Sequence, residues 1–174
     1  MNAGPAMEEI LYSETYRIVG NDFTRGGEAA AAVKAVLKEL GIGSDVIRRL
    51  SIANFEAEMN IIMYADEGEL RLQVTPQAVR VVVADRGQGI PNIELAMQEG
   101  WSTATPEMRQ RGFGAGLGLP NIKKSCDEFA IESTVGVGTT LRYAVRLGAP
   151  GAPDPDPPSV GAPAGARAWP GGAS

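Results

Sequence analysis

The middle of the chain contains a regular alternation of apolar and polar positions. Within residues 69–74, Leu70, Leu72 and Val74 alternate with charged or amide side chains. This period of two predicts a β-strand with one buried face. Residues 75–77 read Thr-Pro-Gln, and a mostly apolar run, interrupted only by Arg80, follows at 79–84. Together the two segments predict a β-hairpin with its turn at 75–77.

Upstream of this hairpin the apolar spacing becomes that of a helix. Within residues 44–65, Ile47, Leu50, Ala57 and Ile61 recur at intervals typical of one helical face. Because helices precede the hairpin rather than alternate with strands, we expect an α/β two-layer sandwich, with a mostly antiparallel, mixed sheet covered by helices on one face. The remaining predicted elements are a strand at 10–19, helices at 27–40, 92–99 and 120–126, and strands at 128–133 and 139–147.

Two glycine-rich segments mark candidate chemistry. The first, residues 85–90, reads Asp-Arg-Gly-Gln-Gly-Ile and places the carboxylate of Asp85 at the end of a predicted strand. The second, residues 112–119, reads Gly-Phe-Gly-Ala-Gly-Leu-Gly-Leu and leads into a predicted helix. Glycine lets backbone N–H groups approach a ligand closely, and a helix N-terminus attracts anions. Together the segments predict a nucleotide site, although either one alone is equally compatible with a flexible loop.

Several common nucleotide and metal motifs do not match. The chain contains no GxxxxGK[ST] sequence, and GxGxxG fails because Leu117 and Leu119 stand where the third glycine is required. A kinase of the His-Arg-Asp type is excluded because the chain has no histidine. Residues 85–89 also lack the alternating Asp and Asn ligands of an EF-hand loop. The glycine segments therefore belong to some other type of site.

A carboxylate and an amide lie four residues apart in the helix predicted at 44–65. Glu56 and Asn60 share one face of that helix because residues four apart are neighbours on its surface. Asn60 has the oxygen that Mg²⁺ takes from a protein when phosphates and waters supply the other ligands. Glu56 is a candidate general base toward a hydroxyl or water. On spacing alone, the pair is also compatible with the solvated rim of an amphipathic helix.

Taken in order, these elements resemble the nucleotide-binding boxes of the gyrase, heat-shock chaperone, histidine kinase and mismatch-repair ATPase superfamily, called GHKL or the Bergerat fold. Glu56-x-x-x-Asn60 resembles the N box, residues 85–90 the first glycine box and residues 112–118 the second. Residues 136–140, Gly-Val-Gly-Thr-Thr, resemble the closing strand element. The resemblance covers roughly residues 10–147. It is closest to bacterial anti-sigma-factor serine/threonine kinases and switch kinases of stress signalling, especially at 93–103 and 114–129.

The resemblance implies ATP as the nucleotide and Mg²⁺ as the metal ion. Asp85 would accept a hydrogen bond from the exocyclic amine of adenine, supported through water by Thr139 or Thr140. Asn60 would hold Mg²⁺, and Glu56 would orient or deprotonate the attacking group. The other positions that the resemblance assigns to nucleotide binding are Gly87, Gly89, Ile90, Arg111, Gly112, Gly114, Gly116, Leu117 and Gly118.

The same resemblance implies a mobile lid over residues 91–118. Arg111 would then touch a terminal phosphate or a partner protein, while a solvated surface charge is the alternative for an arginine in such a loop. The chain departs from many relatives in one position, since they carry a histidine shortly after the N-box asparagine and this chain has Met63 and Tyr64 there. We interpret Tyr64 as a packing substitution.

Composition predicts one domain at residues 1–148 and a disordered tail at 149–174. The chain has 174 residues, of which 44% are hydrophobic, and it contains no run of 18 apolar residues that would span a membrane. A net charge of −5 disfavours nucleic acid as the main partner. The first residues lack a signal sequence and Cys126 is a single cysteine, so we expect a cytoplasmic protein. The tail holds seven of the twelve prolines and few large apolar residues.

Two functions from different classes remain open at this point. The first is an ATP-dependent protein serine/threonine kinase that regulates a partner-switching module, with a small anti-anti-sigma-type protein as its substrate. The second is a non-catalytic anti-sigma factor or docking protein that sequesters its partner when ATP is bound. Retention of Glu56 favours the kinase. Direct binding of a sigma factor and a homodimer are further expectations that the resemblance leaves open.

Overall fold

One five-stranded antiparallel sheet organises the computed structural model, which describes residues 9–148 of the chain. The strands follow the spatial order β1-β2-β3-β5-β4, and each neighbouring pair is antiparallel. The mixed character that we expected is therefore not found in this part of the chain. The tail predicted at 149–174 lies outside the described residues. The strands are β1 (Tyr12–Val19), β2 (Ala65–Val74), β3 (Ala78–Gly87), β4 (Glu128–Thr134) and β5 (Gly138–Arg146).

Three of the helices cover one face of the sheet and enclose the core. α1 (Glu28–Glu39), α2 (Ser44–Tyr64) and α5 (Gly118–Ser125) pack on that face, and two shorter helices, α3 (Ile93–Ala96) and α4 (Pro106–Gln110), lie between β3 and α5. A single 3₁₀ turn, Phe23–Arg25, follows β1. The alternation predicted for residues 69–74 is confirmed, because Leu70, Leu72 and Val74 are all buried. The sheet side of the core includes Leu70, Leu72, Val74, Val79, Val81, Val83, Leu141, Tyr143 and Val145.

The central helix α2 is tied to its neighbours by buried polar groups as well as by apolar packing. Asn54 Oδ1 accepts a hydrogen bond of 2.7 Å from the hydroxyl of Tyr143 on β5. The buried carboxylate of Glu58 accepts N–H bonds of 3.1, 3.1 and 2.8 Å from Gly27, Ala29 and Ala30 at the start of α1. A buried carboxylate is tolerated there because the helix N-terminus supplies donors and a favourable dipole. These bonds fix α2, which carries Glu56 and Asn60, relative to both layers.

The predicted α/β two-layer sandwich is confirmed, while several element boundaries differ. Strand β2 starts at Ala65, directly after α2, instead of at residue 69. The helix predicted at 92–99 shrinks to the single turn of α3, which begins where the Asn92 side chain accepts from Leu95 N at 2.9 Å. Helix α5 begins at Gly118, two residues before the predicted start. Each difference lies where the chain passes around the candidate site.

Candidate nucleotide-binding site

A cavity of about 650 Å³ lies between α2, the adjoining ends of β3 and β5, and the segment that connects β3 to α5. This volume falls within the range of small-molecule and cofactor sites. Elements far apart in the chain contribute to its wall, since residues of the N box, both glycine boxes and the closing strand all lie there. The predicted site residues in the wall are Glu56, Asn60, Asp85, Gly89, Ile90, Gly112, Gly114, Gly116, Leu117, Gly118 and Thr139.

Asp85, near the C-terminal end of β3, lies in the cavity wall. Its Oδ1 accepts a hydrogen bond of 3.1 Å from the backbone N–H of Thr139 on β5. Within residues 9–148, its Oδ2 receives no hydrogen bond from another protein group. Burial raises the pKa of the Asp85 carboxyl above its ordinary value of 3.8, and the Thr139 N–H acts in the opposite direction. Asp85 therefore presents one free acceptor oxygen to the cavity in partly desolvated surroundings.

Ser133 on β4 holds the first glycine box beside the end of β5. Its hydroxyl oxygen accepts from the backbone N–H of Ile90 at 2.8 Å and lies 2.8 Å from the hydroxyl of Thr139. The sequence analysis missed Ser133, because the residue lies outside all four boxes and Ile90 is 43 residues away in the chain. Through this serine the loop that follows Asp85 is joined to the β4–β5 hairpin.

A second part of the cavity wall is formed where α2 meets the first turn of α5. Glu56 Oε1 accepts a hydrogen bond of 2.8 Å from the side-chain amide of Asn121. A Cβ atom placed on Gly118 would lie 3.3 Å from both Glu56 Oε2 and Asn60 Oδ1. The absence of a side chain at Gly118 thus leaves two oxygen acceptors open at the helix N-terminus. Asn121 was also missed, since nothing in its local sequence indicates a partner 65 residues away.

The second glycine box packs against the segment at 100–104 and forms one unit with it. Gly116 has a φ of 74°, and a Cβ there would lie 2.5 Å from the backbone of Gly100 and Trp101. Gly116 O accepts from Gly100 N at 2.9 Å, which closes the contact. Two requirements therefore fix glycine at this position, a left-handed backbone and the close approach of a second chain segment.

The same loop exposes a row of backbone donors to the cavity. Within the described residues, the N–H groups of Gly114, Ala115, Gly116, Leu117, Gly118 and Leu119 donate to no other protein group. Gly118 and Leu119 lie in the first turn of α5, where N–H groups have no intrahelical acceptor. Such a row of donors beside a helix N-terminus suits a phosphate group. This row of free donors supports phosphate binding by the loop, which stays a prediction.

Three predicted site residues lie outside the cavity wall. Gly87 packs at the start of β2, where a Cβ would lie 2.8 Å from Tyr64 O, so its role here is close packing. Arg111 lies over the ring of Phe23 at 4.9 Å, and that ring in turn contacts Phe113 with centroids 5.9 Å apart. Thr140 pairs with Ala84 in the sheet and is the strand neighbour of Thr139, whose side chain faces the cavity.

Three further features near the cavity were either interpreted only as packing or missed. Tyr64, expected to be a packing substitution, lies in the cavity wall, and Trp101 also lines it. Helix α4 was not predicted, although Thr105 caps it by accepting from Met108 N at 3.3 Å and Pro106 occupies its first turn. A capping threonine followed by proline is a recognised signal for a helix start. The expected lid at 91–118 thus contains two short helices and the glycine loop.

Family comparison agrees with this geometry. Residues 21–145 match the family described as the histidine kinase-like ATPase domain, and the chain belongs to that family. The prediction of a GHKL-type domain is therefore confirmed. No helix within residues 9–148 has the length and apolar character needed to cross a membrane.

Among curated proteins, the chain is similar to two groups of bacterial regulators. It is 33% identical over 111 residues to the serine/threonine-protein kinase RsbT of Bacillus subtilis, which covers 62% of this chain and 77% of RsbT. It is 30% identical over 125 residues to the anti-sigma F factor of Caldanaerobacter subterraneus, covering 69% of this chain and 84% of that protein. The kinase interpretation and its placement near anti-sigma regulators agree with these names.

Solved structures support the fold. The RsbU and RsbW domains of a Mycobacterium tuberculosis protein match with a TM-score of 0.52 and 19% identity, over 77% of this chain and 32% of that one. The SiaB-SiaC complex from Pseudomonas aeruginosa also matches with a TM-score of 0.52, at 14% identity, over 79% of this chain and 90% of that one. At these identities the likeness concerns the arrangement of helices and strands alone.

Proposed function

We propose that this protein is an ATP-dependent serine/threonine kinase that phosphorylates a small anti-anti-sigma-type protein in a partner-switching module. The observation that carries the proposal is the convergence of Glu56, Asn60 and the N-terminus of α5 in the wall of a cavity that Asp85 also lines. An acceptor for a base, donors for phosphates and a carboxylate near the phosphate end meet in one site. The names of the curated relatives, a serine/threonine-protein kinase and an anti-sigma factor, support the same function.

The residues of the cavity fit a purine nucleotide that carries phosphates. The free Oδ2 of Asp85 accepts from the exocyclic amine of adenine, while Oδ1 stays with Thr139. The six unpaired N–H groups at 114–119 bind the phosphate oxygens. In this arrangement the base lies at the end of β3 and the phosphates lie at the N-terminus of α5.

The site also fits Mg²⁺ as a companion of the phosphates. Within residues 9–148, no cluster of three or more His, Cys, Asp or Glu side chains is arranged to hold a metal. Mg²⁺ needs no such cluster, because it retains waters and is bound by one or two protein oxygens together with phosphates. Asn60 Oδ1, beside Gly118 at the phosphate end, is the protein oxygen that suits it. When bound, the ion would neutralise phosphate charge.

Glu56 provides the general base for phosphoryl transfer. Its Oε2 faces the first residue of α5, next to the phosphate-binding row. The serine hydroxyl of the partner gives its proton to this carboxylate as its oxygen forms a bond to the γ-phosphorus. The bond between that phosphorus and the bridging oxygen breaks, and ADP departs with the electron pair. Positioning by the glycine loop and deprotonation by Glu56 together account for the reaction.

The partner class follows from the relatives rather than from a surface of this chain. We propose a cytoplasmic module in which the substrate is an anti-anti-sigma-type protein. Direct binding of a sigma factor and formation of a homodimer are more specific parts of the same proposal. A second candidate, an anti-sigma factor that sequesters its partner without phosphorylating it, is favoured by the similarity to anti-sigma F factors.

Phosphate transfer from labelled ATP to proteins encoded beside this gene distinguishes the two candidates. Replacing Glu56 with Gln preserves size and removes the base, so the rate should fall by roughly 100- to 10,000-fold while ATP still binds. Asn60→Ala should instead weaken Mg²⁺-dependent ATP binding. Glu39→Gln, an exposed carboxylate at the end of α1, is the matched control and should leave both quantities unchanged. ATP-dependent binding of a partner with no transfer by the wild type would refute the kinase and support sequestration.

A further inference from the structure

We propose that Asn121 is a positioning residue that sets the orientation of the Glu56 carboxylate and couples it to the phosphate-binding helix. The proposal rests on the function assigned above to Glu56. Asn121 lies outside the motif boxes, yet it lines the cavity and donates the 2.8 Å hydrogen bond to Glu56 Oε1. This bond is the one side-chain hydrogen bond that Glu56 makes within the described residues.

The contact is built from matched faces of two helices. On α5, Gly118 and Asn121 are three residues apart, so they share the helix face that meets α2. On α2, Glu56 and Asn60 are four residues apart and share the opposing face. Asn121 occupies one oxygen of the carboxylate, and Gly118 leaves the other oxygen unobstructed at 3.3 Å from its virtual Cβ. One oxygen is therefore fixed and the other is directed toward the phosphate end.

An amide is chemically suited to this task. It donates a directional hydrogen bond from Nδ2 and carries no charge. A lysine or arginine at the same place would form an ion pair with Glu56 and reduce the basicity that proton abstraction requires. A glutamate side chain also has several freely rotating bonds. Because the Asn121 bond already fixes one carboxylate oxygen, the side chain loses less conformational entropy on reaching the transition state.

Helix α5 is held firmly enough to serve as the reference for this orientation. Near its C-terminal end, Arg49 of α2 donates to Ser125 O at 2.9 Å and to Asp127 Oδ1 at 2.6 Å. Next to Asn121, the side chain of Ile122 is fully buried in the core. The helix is thus joined to α2 at both ends, by Arg49 at one and by Asn121 at the other. Because Arg49 and the buried Ile122 also hold α5, the position of the phosphate-binding turn does not depend on the Asn121 bond alone.

Kinetics of Asn121→Ala separate this role from simple helix packing. We expect kcat to fall by roughly 10- to 100-fold, the scale of a misplaced catalytic group. The KM for ATP and the calorimetric ATP affinity should change less than about twofold. The melting temperature should change by less than about 2 °C, since alanine is a good helix former and keeps the same backbone conformation. Asn121→Asp, which has the same size but faces Glu56 with a second carboxylate, should lose at least as much kcat as alanine. Lys123→Ala, an exposed position on the same helix, is the matched control.

A double variant tests whether Asn121 acts through Glu56. If it does, Glu56→Gln combined with Asn121→Ala should be no slower than Glu56→Gln alone, because residues that act as one unit are non-additive. Additive losses, or a large fall in ATP affinity for Asn121→Ala, would overturn the proposal and assign Asn121 a direct phosphate contact. An unchanged kcat in Asn121→Ala would also overturn it while leaving the kinase proposal intact. Absence of transfer by the wild type would overturn both.

Discussion

Replacement of Asp85 with Asn gives a sharp test of base recognition. In the wild type, Oδ1 accepts from Thr139 N–H at 3.1 Å and Oδ2 remains for the adenine amine. Asparagine has the same shape but only one acceptor oxygen. If that oxygen stays with Thr139, the Asn NH₂ faces the adenine amine, and if the amide is flipped, the NH₂ faces the Thr139 N–H. Either orientation places a donor against a donor, so the variant cannot satisfy both partners.

The size of the loss follows from the bond that is broken. A hydrogen bond to a charged group contributes about 1.5–3 kcal/mol, which corresponds to about 10- to 150-fold in Kd for ATP. Guanine should respond in the opposite direction, because its carbonyl oxygen repels the Asp85 carboxylate but accepts from the amide of the variant. We therefore expect the wild type to prefer ATP over GTP and Asp85→Asn to lose most of that preference.

Thermal stability provides an independent readout with a defined sign. Because burial raises the pKa of Asp85 in the folded state, the folded protein favours its neutral form. The stabilising contribution of Asp85 is therefore fully present below its ordinary pKa of 3.8 and is lost as the pH rises through the higher folded-state pKa. Asparagine stays neutral, so the melting temperature of the variant relative to wild type should increase from about pH 4 to pH 7.

Calorimetry with ATP and GTP, together with melting curves at several pH values, checks these expectations. Equal affinity of the wild type for ATP and GTP would refute the role of Asp85 in base selection. An Asp85→Asn variant that binds ATP normally would refute it as well. Loss of ATP binding together with a large fall in melting temperature at pH 7 would show that the side chain acts on the fold instead of on the base.

Two further predictions concern the glycine loop and the tail. Gly116→Ala should weaken ATP binding at least about tenfold, since its Cβ would lie 2.5 Å from the backbone of Gly100. The control Gly112→Ala has an equally left-handed backbone but open space around it, so it should cost only about 1–2 kcal/mol in local backbone strain. Equal ATP affinities of the two variants in titrations would contradict the packing argument. Deletion of residues 149–174, which the sequence predicts to be disordered, should leave the melting temperature and the ATP affinity nearly unchanged. Aggregation of the truncated protein, or a fall of several degrees in its melting temperature, would place the domain boundary elsewhere.

Local patterns in the sequence were sufficient to predict the helices and strands that carry the boxes. The helix at 44–65 was predicted nearly to the residue because its apolar face repeats over many turns. The hairpin was predicted because period two and a turn sequence occurred together. The start of β2 at Ala65 was missed, since those first residues pair with the end of β3 and strand pairing is a long-range property that local composition does not encode.

The sequence by itself determined which residue types are present for nucleotide chemistry and in what order. Carboxylate, amide and glycine boxes have a spacing that local backbone geometry imposes, so their presence predicted the family and most of the cavity wall. Which of these residues face the cavity was decided only by the tertiary structure. Strand alternation turned Thr139 toward the site and left Thr140 outside the wall, and stacking on Phe23 placed Arg111 beyond the cavity.

The bonds that orient the site were also decided by the tertiary structure alone. Asn121 reaches Glu56 across 65 residues of chain, and Ser133 reaches Ile90 across 43. Asparagine and serine make hydrogen bonds in almost any setting, so neither residue type nor local spacing distinguishes a positioning contact from a surface one. Only the packing of α5 on α2, and of the β4–β5 hairpin beside the first glycine box, brings the donors and acceptors within bonding distance.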